Sequence, residues 1–132
     1  MRISQTLRNF HLHDSGVHDI RYQPEAQRLE VVIDLCDWSG EAGPEEVFGQ
    51  SGRLVFEGVT RLESAPALEN LSWNENYGLE VLDLEHKPEL DTDGLEGVWG
   101  LFELPKVFDD QGRQAVLILE FVATHFEWFP ET

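Results

Sequence analysis

The chain has 132 residues, enough for one domain to bury a core without metal or disulfide staples. Twenty-six acidic residues against nine basic ones give a net charge of −17, a field that repels nucleic-acid phosphates and anionic lipid, while a hydrophobic fraction of 41% with four Trp and eight Phe excludes intrinsic disorder. Cys36 is the single cysteine, so no intrachain disulfide forms, and neither a signal-peptide core nor a membrane-spanning run is present; a cytoplasmic protein without nucleic-acid or membrane partners is expected.

In chain order, residues 3–13 combine loose helical spacing (Ile3, Leu7, Phe10) with strand-like alternation (Phe10, Leu12), and a strand ending at Asp14-Ser15-Gly16 is the favoured reading. Residues 17–23 and 28–37 read as a hairpin, because Pro24-Glu25-Ala26-Gln27 supplies a fixed φ and polar turn residues between them. Leu29, Val31, Ile33 and Leu35 recur with period two and share a buried face, with the mixed set Glu30, Val32, Asp34 and Cys36 on the other. Residues 39–52 form a surface loop.

Residues 53–62 read as the next strand, with Gly58 marking a bulge that returns Val59 to the core. Residues 64–76 break the pattern, and Trp73 anchors that loop to the body. Residues 78–86 and 96–104 form a hairpin across a turn rich in Pro, Asp and Gly, whose Asp91 should be solvated and tolerant of substitution. Residues 114–122 follow, bending into residues 125–129. Because Val116, Leu117, Ile118 and Leu119 are apolar in succession, this strand is predicted to be covered on both faces, one of them by a second sheet or short helix, and Ile118→Asp should be severe. Seven or eight strands with at most short helical turns point to an all-β single domain over residues 1–132, either an antiparallel β-sandwich or a strongly curled sheet.

Chemistry-bearing residues are sparse. His11, His13, Asp14 and His18 offer nitrogen and oxygen ligands of the kind zinc accepts, making them the candidate metal set, although no HExxH spacing accompanies them. Glu89, Asp91 and Asp93 ahead of Gly94 imitate the opening of a calcium loop, but its last ligand position falls on Gly100, so the match fails. A sugar-stacking platform would need rings such as Trp73, Tyr77, Trp99 and Trp128 exposed and coplanar, whereas aromatics also fill β cores; the segment His125-Phe126-Glu127-Trp128-Phe129 is the expected exposed patch. No complete catalytic or cofactor motif is present in the sequence.

His13-Asp14-Ser15, then Ile20, Tyr22, the run Leu29 to Leu35, and Leu54-Val55-Phe56-Glu57-Gly58-Val59 follow an order that resembles small bacterial β proteins, some grouped with polymorphic-toxin immunity proteins. The resemblance covers under half of the chain and implies a compact cytoplasmic β protein, with no known catalytic residues to carry over. With the charge, it leads to the expectation of a non-catalytic acidic protein that binds a basic protein partner; a metal-binding domain built on the histidines and a carbohydrate-binding module are the alternatives.

Overall fold

The computed structural model describes residue 3 and residues 15–35, 50–65, 79–108, 111–112 and 114–130. Its strands are β1 (Gly16–Gln23), β2 (Arg28–Leu35), β3 (Gln50–Glu57), β4 (Thr60–Ala65), β5 (Leu79–His86), β6 (Glu96–Phe108), β7 (Gln114–Ala123) and β8 (His125–Pro130). All eight belong to one antiparallel sheet in the order β4-β7-β6-β5-β1-β2-β3-β8. Ile3 has helical backbone where a strand was expected, and its side chain is fully buried in the core; the remainder of the expected N-terminal strand lies outside the described residues.

The β1–β2 hairpin follows from its turn chemistry. Ala26 N–H donates to the Gln23 carbonyl at 3.1 Å, Gln27 N–H donates to the Pro24 carbonyl at 3.2 Å, and Gln27 absorbs the reversal at φ +52°. This register sends Leu29, Val31 and Ile33 into the core, as the period-two pattern predicts.

The curl of the sheet comes from two short links. Only Gly58 and Val59 separate β3 from β4, and only Thr124 separates β7 from β8, yet β3 pairs with β8 while β4 pairs with β7. The strands β3–β4 and β7–β8 are therefore one bent ribbon whose halves stand at the two ends of the strand order. A sheet whose ends are joined in this way must fold over on itself and enclose its inner face. Thr124 fastens the corner, donating from its N–H and Oγ1 to the Glu57 carbonyl at 2.9 and 3.1 Å, and Val59 N–H donates to the Gln27 carbonyl at 2.8 Å. Gly58 is at φ +69°, so the predicted bulge is a corner between two strands, and Val59 is buried just beyond it.

One hydrophobic cluster fills the enclosed space. Phe56 is fully buried in it, with the rings of Phe121 and Phe126 each 5.0 Å away, so both arms of the bent ribbon contribute to the same packing. Among the described residues, β1 and β5 pair through Gly16↔Glu80 and Val17↔Leu79, extended by Val81 N–H donating to the Ser15 carbonyl at 2.9 Å.

Two expectations are corrected. Leu117, Leu119 and Phe121 of β7 are buried, but Val116 and Ile118 are each 38% exposed, because β7 belongs to the same single sheet and no further layer of described residues covers its outer side. Asp91 is not a merely solvated turn residue. Its Oδ1 accepts the Gly97 N–H at 2.7 Å and lies 3.0 Å from His86 Nε2, tying the 3-10 turn Pro88–Leu90 to the start of β6.

Candidate functional site

Antiparallel pairing carries outward-facing side chains into rows across the strands, and the half of the sheet formed by β5, β6, β7 and β4 places acids beside acids. Glu80 on β5 is opposite Glu103 on β6, which is opposite Val116 on β7. One pair further along, Asp83, Leu101, Ile118 and Ala65 form a row, brought into line by the bulge between Val81 and Asp83. Beyond it come Glu85, Trp99, Glu120 and Glu63. Among the described residues none of Glu63, Asp83, Glu85, Glu103 and Glu120 has an ion-pair partner.

Among the described residues, the cations near this face form no ion pair with Glu63, Asp83, Glu85, Glu103 or Glu120. Lys87 Nζ lies 5.1 Å from the centroid of the Trp99 ring. Arg61, held at φ +54°, lines an open groove together with Glu63, Leu90, Glu120, Phe121 and Val122.

The other half of the sheet is arranged differently. Asp19 accepts Arg21 Nε at 2.7 Å, and Glu30 accepts Arg28 at 2.8 Å and Arg53 at 3.0 Å. Arg53 also lies 5.6 Å from the centroid of the exposed Phe129 ring. His18 Nε2 is 2.6 Å from Asp34 Oδ2, and Ser51 Oγ donates to Asp34 Oδ1. Burial pushes the Asp34 carboxyl up, but the hydrogen bonds from Ser51 and His18, with the charge of His18, outweigh it and hold the group below its ordinary value. In this cluster the carboxylate stands between the hydroxyl and the imidazole. A serine nucleophile instead needs the imidazole next to the hydroxyl, so the arrangement fastens β1, β2 and β3 together without activating Ser51.

Of the four metal-ligand candidates, His18 is engaged with Asp34, while His11, His13 and Asp14 lie outside the described residues. Among the described residues no group of three or more His, Cys, Asp or Glu side chains is placed to hold a metal. Of the candidate sugar-stacking rings, Trp128 packs against the core from the inner face and Trp99 stands on the outer face, so these two share no platform; Trp73 and Tyr77 lie outside the described residues. Phe129 is exposed as expected for the terminal aromatic patch, but Phe126 is buried. Among the described residues no helix is long and apolar enough to cross a membrane.

No protein-family model, curated protein or solved structure matches the chain.

The acids that make the face, Glu63, Glu103 and Glu120, belong to separate strands, and in the sequence they read only as contributions to net charge. The pairing of β4 with β7, which puts Glu63 opposite Glu120, joins strands separated in the chain by β5 and β6 and leaves no local signal.

Proposed function

We propose that the protein is a non-catalytic acidic binding protein, immunity-like in character, that captures a basic protein partner on the outer face of β5, β6, β7 and β4. The observation that carries this reading is the direct opposition of Glu63 to Glu120. Like charges facing each other across an antiparallel pair destabilise a sheet by roughly 0.2–1 kcal/mol each. Solubility alone does not require that cost, because it depends on net charge and not on adjacency. The half containing Asp19, Glu30 and Asp34 shows the alternative, with each acid matched to an arginine, histidine or hydroxyl. Lysines or arginines on a partner relieve the repulsion on binding, and the exposed field accelerates encounter in a salt-dependent way.

The decisive experiment is affinity capture from the native host at low ionic strength, repeated with Glu63→Gln/Glu120→Gln. Basic partners that are held by the wild type, released by salt and lost in the variant support the reading. Capture of no partner, or of partners kept equally well at high salt and by the variant, removes it.

A further inference from the structure

The acidic face has an apolar centre. Val116 and Ile118 are successive outward residues of β7, Leu101 is directly opposite Ile118 on β6, and Trp99 is the next outward residue of β6. The four run diagonally across two strands. At about 3.4 Å per residue and about 4.8 Å between strands, the stripe is about 14 Å long. Glu103 and the β5 acids Asp83 and Glu85 border one side of it, and Glu120 with Glu63 borders the other. Val116 and Ile118 are each 38% exposed, an unusual position for adjacent large aliphatics on so polar a surface.

This pattern selects among occupants. A second copy of the chain would set acids against acids, and an anionic membrane would be repelled in the same way. An extended segment lying on the face would direct one row of side chains at it and the alternate row away, supplying no charges along both borders. An amphipathic helix displays an apolar stripe with charged residues on both sides, and about ten helical residues at about 1.5 Å each cover the observed length. Lys87 over Trp99 already places a cation at one end of the stripe, at the row that carries Glu85 and Glu120.

We infer that the diagonal Val116–Ile118–Leu101–Trp99 stripe is the docking site for an amphipathic helix of the basic partner, its apolar face on Ile118 and its flanking lysines or arginines against the two acidic borders. This rests on the capture of a basic partner by the same face. The apolar contacts supply most of the affinity and the borders supply orientation and encounter rate.

The probe is a synthetic leucine–lysine peptide of about fourteen residues, long enough to span the stripe with frayed ends, with leucines at helical spacing; a scrambled peptide of identical composition is the control. Calorimetric titration into the full chain is expected to show the patterned peptide binding about tenfold more tightly than the scrambled one, and Val116→Thr/Ile118→Thr should erase that preference while leaving the unfolding midpoint close to wild type. Equal binding of the two peptides overturns the helix site and leaves the electrostatic capture standing. If neither peptide binds at low salt, both the helix site and the capture of a basic partner fail.

Discussion

Glu63 of β4 stands directly across from Glu120 of β7, and neither has an ion-pair partner among the described residues. Their opposition makes a test that is independent of any partner. Replacing Glu63 by Lys converts a repulsive cross-strand pair into an attractive one, so the variant should be more stable by roughly 0.2–1 kcal/mol at low salt. The gain should shrink in about 1 M salt, where screening acts within about 3 Å. Urea unfolding at the two ionic strengths measures both effects; a gain that is the same in each would assign the change to packing and not to charge.

Gly58 turns the ribbon from β3 into β4 at φ +69°, and a side chain there would collide with Thr124 Oγ1 at the neighbouring corner. Gly94 is also in the left-handed region, at φ +80°, but nothing lies near the position its Cβ would take. Gly94→Ala should therefore lose only the backbone preference, about 1–2 kcal/mol. Gly58→Ala should lose more, since Thr124 must move and its hydrogen bonds to the Glu57 carbonyl are disturbed. Denaturation midpoints of the two variants compare the corner with an open turn directly, and equal losses would show that the contact between the two links is unimportant.

Local patterning made the hairpins legible. The alternation of Leu29, Val31 and Ile33 set the buried face of β2, and the residue types at Gly58 and beyond Val122 marked where strands bend. Patterning did not show which strands meet at long range. In β7 four apolar residues follow one another, and a continuous run is ambiguous between a strand covered on both faces and one whose outer face carries an exposed apolar stripe. The structure decides for the second, with Leu119 buried and Ile118 exposed between Ala65 and Leu101. Leu119→Asp should consequently cost several kcal/mol, a large part of the roughly 5–15 kcal/mol that holds a domain folded, whereas Ile118→Asp should cost about 1 kcal/mol or less. Similar midpoints for the two variants would mean that the faces of β7 are assigned the wrong way round.

Asp91 illustrates the converse error, in which a turn residue carries more structure than its composition suggests. Asp91→Ala removes the acceptor of the Gly97 N–H and the partner of His86, so a loss of roughly 1 kcal/mol is expected, with Asp91→Asn retaining part of it through its amide oxygen. Loss of amide-exchange protection at Gly97 in Asp91→Ala is the site-specific readout; unchanged protection there would remove the tie between the turn and β6.

The Asp34 cluster makes stability depend on pH in a defined direction. Although burial acts to raise its carboxyl, the bonds from Ser51 and His18 and the charge of His18 leave it lower in the folded chain than in the unfolded one. The folded state thus binds the proton less readily. Its contribution is fully present above the unfolded carboxyl's value, about pH 4, and is lost as pH falls through the lower folded value. The many other carboxylates also titrate in this range, and their protonation relieves repulsion, so the wild-type profile alone does not isolate the effect. The difference between wild type and Asp34→Asn does, because only the wild type loses this contribution. That difference should be largest near about pH 6 and shrink steadily towards about pH 3 in urea-unfolding midpoints. A difference that stays constant across the range would show that Asp34 titrates alike in both states, and that the contacts with Ser51 and His18 do not discriminate between its charged and neutral forms.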